Sequence, residues 1–303
     1  MLDRNTERLI LIDGNNLVLR ASGGYKSRNK ETGEWEPLMT SDGRVSSALY
    51  GSFSIFQQYV KLLQPSHVLW FFDHGKSKAR LAIRDTYKAN RDKYKEKDKE
   101  RIDLRPQYQS LKQLLGLIGV SYHSEEGVEA DDLIANASYK WPDIQKVIIS
   151  ADHDLLQLVN EKTHVLKPQM TKSRDHKLYT HEKIVEEFEL TPRELPELWS
   201  LMGDSGDGID GLPRVGPKTA LKMMKEYGNL NNIIATHPKL EGWEKFVAEN
   251  YDLINLTGEY ATLDMELGDT IFTRDLQVDS LRKFFYDWEF NSYLQKLDHG
   301  RLF

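Results

Sequence analysis

Two acidic clusters, separated by one short apolar segment, are the residues of this 303-residue chain best suited to do chemistry. The first contains Glu129, Asp131 and Asp132 in VEADDLI, and the second contains Asp152 and Asp154 in SADHDL. Like charges about 4 Å apart repel by roughly 4 kcal/mol at an effective dielectric near 20. A cation must therefore lie among them, or some must be protonated. The pair of clusters favours a divalent metal site, although either cluster alone could be ordinary helix-start chemistry, since acids stabilise a helix N-terminus.

The segments that carry these acids predict how the side chains are positioned. VEADDLI predicts the start of a helix, on which Glu129 and Asp132 share a face while Asp131 points elsewhere. KVIIS, between the clusters, predicts a short buried strand. If the chain stays extended beyond it, the two aspartates of the second cluster point to one side and His153 to the other.

Two further acids directly follow apolar strands of the same kind. Asp13 ends RLILID, and Asp73 ends HVLWFFD. A single acid after a strand is commonly a turn or cap residue, but ligands of open parallel sheets bind at the carboxyl ends of the strands. We therefore expect Asp13, Asp73 and Asp152 to meet at one edge of a sheet.

The order of predicted elements indicates an α/β fold with a mostly parallel central sheet covered by helices. GNN after Asp13 predicts a turn, and Val120–His123 begins a third strand. Beyond about residue 160, the polar strands THVLKPQ and HKLYT lead into a helical region. The predicted helices are Val45–Leu63, about Pro106–Ile118, Thr191–Met202, Trp243–Leu263 and Ser280–Leu297, the last two amphipathic with aromatic residues in the core.

Composition and charge exclude several classes of protein. The chain has no cysteine, which excludes disulfides and thiolate zinc sites, and it shows neither an apolar run of membrane length nor a signal peptide. We therefore expect no membrane partner and a cytoplasmic location. The net charge is −6, yet residues 76–105 hold 12 Lys plus Arg against 6 Asp plus Glu. One surface could thus contact a phosphate backbone while another holds metal.

A glycine-rich segment, GDSGDGIDGLPRVGPKTALKMMKEYG, carries Asp204 and Asp207 and then opens a helix. A turn that feeds a helix N-terminus offers free backbone N–H groups to a phosphate, and Lys218 adds positive charge. An ordinary tight interhelical turn is the alternative.

Together, LIDGNN, FFDHGKSKAR, YKANR, GVEADD, SADHDLLQL and GDSGDGIDGLPRVGPKTA resemble the 5′→3′ exonuclease and flap endonuclease family, in family order. That family includes free-standing phage and bacterial nucleases and the N-terminal nuclease domain of bacterial DNA polymerase I. The resemblance implies a PIN-like nuclease core at 1–180 with a basic helical arch at about 76–105. It also implies a helical DNA-binding region at 181–303, with a helix-hairpin-helix at about 191–228.

The resemblance also implies residue roles. Lys88 and Arg80 would face the scissile phosphate, and Ser22 to Tyr25 would lie where the end of the duplex is frayed. Tyr87 would stack on DNA, and Leu212 and Val215 would hold a monovalent cation through their backbone. Nucleic-acid contacts would come from Arg84, Arg91, Gly216, Lys218 and Thr219. Metal ligands would be Asp13, Asp73, Glu129, Asp131, Asp132, Asp152, Asp154, Asp204 and Asp207.

The all-carboxylate donor set predicts two or more Mg²⁺ ions, replaceable by Mn²⁺, and K⁺ is a candidate at the hairpin. We expect His74 and His153 to be solvated or hydrogen-bonded rather than ligands. The substrate implied is DNA with a 5′ flap, nick or free 5′ end, or an RNA–DNA hybrid, bound by a monomer. Departures from the family pattern are Arg84 in place of Tyr, the more charged turn around Arg214 and the lysine-rich segment 92–103, which could instead be a solvated helix. A PIN-type ribonuclease and a DNA-structure-binding protein without catalysis are the alternatives.

Overall fold

The computed structural model describes residues 6–29, 32–89, 102–168 and 176–303, and a six-stranded sheet lies at its centre. Every neighbouring pair of strands in this sheet is parallel except the last pair, Thr163–Lys167 with Lys177–Tyr179, which is antiparallel. This confirms the prediction of a mostly parallel sheet. The strands, in order across the sheet, are β5 (Ser121–His123), β4 (His67–Phe71), β1 (Arg8–Asp13), β6 (Gln145–Ile149), β7 (Thr163–Lys167) and β8 (Lys177–Tyr179).

Helices cover both faces of the sheet, and two small antiparallel ribbons lie outside it. The ribbons are β2 (Lys26–Arg28) with β3 (Trp35–Pro37), and β9 (Gly203–Asp204) with β10 (Ile209–Asp210). Short 3₁₀ turns begin at Asp154 and at Pro192. The α-helices are α1 (Gly14–Gly24), α2 (Ser47–Leu63), α3 (Lys78–Ile83), α4 (Arg105–Leu117), α5 (Ala130–Lys140), α6 (His181–Phe188), α7 (Leu195–Met202), α8 (Pro217–Tyr227), α9 (Leu230–Thr236), α10 (Glu244–Ile254), α11 (Val278–Asp287) and α12 (Asn291–Asp298).

The central strand β1 explains why two hydrophobic cores form. All six of its residues are buried, and successive side chains of a strand point to opposite faces of the sheet. Leu9 and Leu11 therefore pack with α5 and α7 to α10, whereas Ile10 and Ile12 pack with α1, α2, α4 and the C-terminal helices. Each such fully buried side chain contributes roughly 2 kcal/mol to stability.

The C-terminal segment packs through aromatic side chains, as predicted. Phe285 and Tyr293 both contact Phe53 of α2, with ring centroids 5.8 and 4.9 Å away. The prediction of one helix over Ser280–Leu297 was wrong, because the chain breaks between α11 and α12 at Glu289, whose φ is +55°.

Two other local predictions differ from the structure. GNN begins helix α1 and is not a separate turn after β1, since the Asp13 side chain accepts a hydrogen bond from Asn16 N at 2.9 Å and caps the helix. The helix predicted over Trp243–Leu263 ends at Ile254. Beyond it, Leu256 N donates to Gln157 Oε1 at 2.7 Å instead of continuing the helical pattern.

No α-helix in the described part of the chain has the length and apolar composition needed to cross a bilayer. The proposed division at residue 180 stays a prediction.

Candidate metal centre

Acidic side chains from distant parts of the sequence converge at the carboxyl ends of the parallel strands. Asp13 ends β1 and Asp73 follows β4. Asp152 follows β6, and Asp131 lies in the first turn of α5. Burial is the largest cause of the raised pKa of Asp13 and of Asp131, and repulsion from the other carboxylates of this set adds to it, so we treat the four as one group.

A second group shares Asp152 with the first. Asp154 is repelled by Asp152 and also by Asp204 and Asp207. One ligand atom each from Asp154, Asp204 and Asp207 lies within 4.8 Å of the others. We call these three residues the acidic triad. Asp152 therefore lies between two carboxylate groups that could each hold a cation.

The pKa values show how costly this arrangement is for the charged carboxylates. Burial, with repulsion from Asp73 and Asp152, raises the pKa of Asp13 to about 7, against the opposing effect of hydrogen bonds from Asn16 and Ser150. Burial followed by repulsion from Asp152 likewise raises the pKa of Asp131 and of Asp154 well above the ordinary value. Lys88 offsets part of this rise at both residues.

The ribbon β9–β10 brings the last two acids to the centre. Asp204 ends β9, and its Oδ1 accepts a hydrogen bond from Gly206 N at 2.8 Å, which tightens the turn that carries Asp207. Gly203 has a φ of +77°, and a Cβ there would lie 2.3 Å from Gly211 N. Only glycine fits this crossing of the two strands.

The donor chemistry of the triad fits a hard divalent cation. Asp154 Oδ1 is buried and accepts no hydrogen bond from any residue that the structure describes, although His153 Nε2 lies 3.3 Å away. An ionised oxygen without a donor is strongly disfavoured in a protein interior, and a cation would supply what is missing. Carboxylate oxygens are the ligands that Mg²⁺ and Mn²⁺ prefer.

His153 lies on the same side as the acids, so the prediction that it points away was wrong. The chain does not stay extended beyond β6, because a 3₁₀ turn begins at Asp154. His153 Nε2 approaches Asp204 Oδ2 at 3.8 Å, and the imidazole packs edge-on against Trp199, with ring centroids 4.8 Å apart. His74 is exposed, and its backbone bonds to Gly127 and Val128.

Lys88 supplies the cation that the crowded carboxylates require. Its Nζ lies 2.8 Å from Glu129 Oε1 and 3.2 Å from Asp207 Oδ2, and the side chain is buried. Tyr87 donates through its hydroxyl to the same two residues, Glu129 at 3.1 Å and Asp207 at 3.0 Å. The prediction that Tyr87 is a stacking platform is contradicted, because only 3% of this residue is exposed.

Arg80 and Asp132 are bound to each other rather than to phosphate and metal. The Arg80 guanidinium donates to Asp132 Oδ1 at 2.9 Å and to Oδ2 at 2.5 Å, and its Nε donates to the carbonyl of Leu253 at 2.7 Å. Burial alone would lower the pKa of Arg80, but Asp132 raises it above its ordinary value. Both residues are buried, so the predicted roles of Arg80 at the scissile phosphate and of Asp132 as a metal ligand are contradicted.

The prediction for α5 was correct about which residues share a helix face but wrong about which face lies at the metal centre. Glu129 and Asp132 do share a face, since Arg80 also lies 3.6 Å from Glu129 Oε2. That face meets the basic segment, however, and Asp131 on another face joins the acids at the sheet edge.

Arg84 also turns toward the protein. Its guanidinium donates to Asn250 Oδ1 at 2.9 Å and lies 5.2 Å from the ring of Phe246, so α10 holds it, and its contact with DNA stays a prediction. Arg91 and most of the lysine-rich segment 92–103 lie outside the described residues.

Three polar residues that orient the acids were not identified from the sequence. Ser150 Oγ donates to Asp13 Oδ2 at 2.7 Å and accepts from Asp152 N at 3.0 Å. Asn16 Oδ1 accepts from Ala151 N, and Asn15 Oδ1 accepts from Asp73 N, both at 3.0 Å. Their positions beside the acids in LIDGNN and ISADHD are the signal that could have found them.

The turn before α8 presents a helix N-terminus at the surface. Leu212 and Val215 are buried, whereas Gly216 and Lys218 are exposed. Gly216 is the N-cap of α8 in an extended conformation, and a Cβ there would meet no atom within 4 Å. Pro217 has no N–H and Thr219 N donates to Gly216 O at 3.0 Å, so the Lys218 N–H and the positive end of the helix dipole are what this terminus offers to an anion.

Two family models match this chain. They are "5′-3′ exonuclease, N-terminal resolvase-like domain" over residues 8–189 and "5′-3′ exonuclease, C-terminal SAM fold" over residues 190–283. A 5′-3′ exonuclease of Aquifex aeolicus is 30% identical over 308 residues, which cover 96% of this chain and 95% of that protein. DNA polymerase I of Mycobacterium tuberculosis is 30% identical over 298 residues, so the chain spans 31% of its length.

Solved structures of the bacteriophage T5 enzyme have the same fold. A T5 flap endonuclease in a complex with DNA and metal ions has a TM-score of 0.66 at 22% identity, covering 97% of this chain and 98% of that one. A T5 5′-exonuclease with bound zinc has a TM-score of 0.65 at 25% identity, covering 93% and 98%. With both family models matched along nearly its whole length, the chain belongs to the 5′–3′ exonuclease family, whose members include flap endonucleases.

Proposed function

We propose that this chain is a structure-specific 5′ nuclease that hydrolyses phosphodiester bonds of DNA, as a 5′→3′ exonuclease and a 5′-flap endonuclease. The observation that carries the proposal is the pair of carboxylate groups that share Asp152, with one oxygen of Asp154 buried and lacking a donor among the described residues. The Aquifex aeolicus relative, which has nearly the same length, is a 5′-3′ exonuclease by name, and this supports the proposed hydrolysis of DNA. Primer removal during replication or repair is the role that we infer.

The residues that would hold metal fall into two sets joined by Asp152. Asp13, Asp73 and Asp131 would serve one site, and the acidic triad would serve the other. We propose Mg²⁺, because carboxylate oxygens and buried charge suit a hard cation. The T5 structures contain metal ions, which are zinc in one of them. Two bound Mg²⁺ ions would activate a water and stabilise the leaving oxygen in an in-line displacement.

The basic side chains at the metal centre would act by electrostatic stabilisation rather than by proton transfer. The buried Lys88 ammonium lies between Glu129 and Asp207, and its positive charge lowers the pKa of Asp131 and of Asp154. We propose that this ammonium also stabilises negative charge on the phosphoryl oxygens of the scissile phosphate. Glu129, which pairs with Lys88, would set the position of that ammonium and remains a candidate ligand.

Recognition of DNA would depend on shape and charge, since phosphate contacts carry no sequence information. The exposed N-terminus of α8, with Gly216, Lys218 and Thr219, would bind the backbone of a duplex. A K⁺ ion held by the carbonyls of Leu212 and Val215 would add to this contact. The basic residues 76–105 would admit the single-stranded 5′ end, and we propose that the protein acts as a cytoplasmic monomer.

A substrate panel tests the proposed function. Four labelled substrates of matched sequence would be incubated with a Mg²⁺ titration: a 5′-flap DNA, a 3′-flap DNA, an RNA–DNA hybrid with a free 5′ end and single-stranded RNA. We expect Mg²⁺-dependent cleavage of the 5′-flap DNA and none of the 3′-flap DNA. Cleavage of the single-stranded RNA alone would identify a PIN-type ribonuclease, and binding of the flap without cleavage would identify a DNA-structure-binding protein.

A further inference from the structure

Two buried carboxamide side chains, those of Asn250 and Gln157, connect helix α10 to the metal centre, and neither is among the proposed metal ligands. Asn250 on α10 has no exposed surface, and Gln157 in the 3₁₀ turn after β6 is 7% exposed. A buried carboxamide that makes all its hydrogen bonds fixes the backbone segments it joins, since leaving any of them unpaired is costly.

Asn250 bonds to the segments on both sides of the β9–β10 ribbon. Its Nδ2 donates to the carbonyl of Ser200 at 3.0 Å and to the carbonyl of Asp210 at 2.8 Å. Asp210 pairs with Gly203 in the ribbon, so these bonds hold the base of the turn that carries Asp204 and Asp207. The Oδ1 of Asn250 accepts from Arg84, which follows α3 at the start of the basic segment.

Gln157 makes the equivalent connection for the third acid. Its Nε2 donates to the carbonyl of Asp154 at 2.8 Å and to the carbonyl of Ile254, the last residue of α10, at 3.1 Å. Its Oε1 accepts from Leu256 N at 2.7 Å. Both halves of the acidic triad are thus bound to one helix, by side chains whose hydrogen bonds go to backbone groups and to Arg84.

We propose that Asn250 and Gln157 are positioning residues that set the spacing of the acidic triad, with α10 as the common support. Asn250 further joins the triad to the base of the basic segment through Arg84. The inference rests on the proposed function for its meaning in catalysis, but it makes a separate claim about cation affinity.

The test measures Mn²⁺ binding directly, by the loss of the free-ion EPR signal during titration of the intact chain. Asn250→Ala and Gln157→Met are the test variants. The matched controls are Asn136→Ala and Gln107→Met. Asn136 binds the carbonyls of Gly258 and Ala261 and accepts from Leu263 N, and Gln107 accepts from two backbone N–H groups of α2, so the controls lose similar bonds elsewhere.

We expect each test variant to bind Mn²⁺ at the acidic triad about 10-fold to 100-fold less tightly, as for other residues that orient metal ligands, so that one phase of the titration weakens. The controls should bind as the wild type does, once the folded fraction is matched by near-UV circular dichroism. Cleavage of 5′-flap DNA lost by a test variant at low Mn²⁺ should return at high Mn²⁺, which a general loss of folding would not allow.

Equal Mn²⁺ affinity in a folded test variant and its control would overturn the inference. Should Asn250→Ala fail to fold, Gln157→Met carries the same prediction for Asp154. Failure of the proposed function has a different signature, because the wild type would then bind Mn²⁺ and leave flap DNA uncut.

Discussion

Arg80 and Asp132 form a buried ion pair in which the guanidinium donates to both carboxylate oxygens, 52 residues away along the chain. The side chains are 2% and 0% exposed. The pair joins α3, at the start of the basic segment, to α5. The Nε of Arg80 also donates to the carbonyl of Leu253, which joins α3 to α10. Two residues that resemble catalytic and metal-binding members of the family motif thus bind each other.

Loss of Arg80 should therefore act on folding. Removing one partner of a buried ion pair leaves an uncompensated charge, so we expect Arg80→Ala to lower the free energy of unfolding in urea by about 3–5 kcal/mol. The control is Arg282→Ala, whose partner Asp298 lies 2.8 Å away at a half-exposed site, where a loss below about 1 kcal/mol is expected. If Arg80→Ala left stability unchanged and only slowed cleavage, the predicted role of Arg80 at the scissile phosphate would be correct instead.

Lys88 should act on the rate of cleavage. At saturating Mg²⁺ and 5′-flap DNA, we expect Lys88→Ala to lower turnover by roughly a hundredfold, because a positive charge beside the reacting phosphate is lost. The affinity for DNA should change little. The control is Lys78→Ala, since Lys78 pairs with Glu126 at an exposed site and should leave turnover intact. Parallel losses of turnover and DNA affinity in Lys88→Ala would contradict the assignment.

The pKa of Asp13 predicts how stability depends on pH. The folded-state value is raised to about 7, so between about pH 4 and pH 7 the folded chain binds more protons than the unfolded chain. In a chelator, the free energy of unfolding should therefore fall as pH rises through this window, with a limiting slope of about 1.4 kcal/mol per pH unit for one proton. Mg²⁺ should oppose the fall. Asp13→Asn should flatten the dependence, and an equally steep slope in that variant would contradict it.

The N-terminus of α8 offers a test of duplex binding that leaves the fold intact. Aspartate and asparagine are both favoured N-cap residues, and a side chain at Gly216 meets open space. We expect Gly216→Asp to weaken the binding of a blunt duplex about tenfold through repulsion of phosphate, while Gly216→Asn retains most of the affinity. Cleavage at saturating DNA should be similar in both. A lower saturated rate in Gly216→Asp with normal affinity would show that α8 does not bind the duplex.

Much of the metal centre could be predicted from the sequence because strand ends are local features. Asp13, Asp73 and Asp152 each follow an apolar segment, and parallel pairing brings such ends to one edge of the sheet. The glycine-rich turn that carries Asp204 and Asp207 is visible in the sequence, whereas the two-stranded ribbon and the need for glycine at position 203 are seen only in the structure.

The orientation of the basic side chains could not be predicted in the same way. Arg80 lies in α3 and Arg84 directly follows that helix, and whether their side chains meet DNA or protein depends on Asp132 and Asn250. Those partners lie 52 and 166 residues away along the chain, so the local sequence pattern around α3 cannot predict them. Tyr87 is similar, because its burial follows from hydrogen bonds to acids contributed by α5 and the β9–β10 ribbon.

The acidic residue shared by the two carboxylate groups offers the most direct test. Cleavage of 5′-flap DNA would be measured over a Mg²⁺ titration for the wild type, Asp152→Asn and the control Asp279→Asn, whose carboxylate is fully exposed. The account predicts Mg²⁺-dependent cleavage by the wild type and the control, and no cleavage by Asp152→Asn at any Mg²⁺ concentration despite normal DNA binding. Mg²⁺-dependent cleavage by Asp152→Asn at the wild-type rate would contradict it.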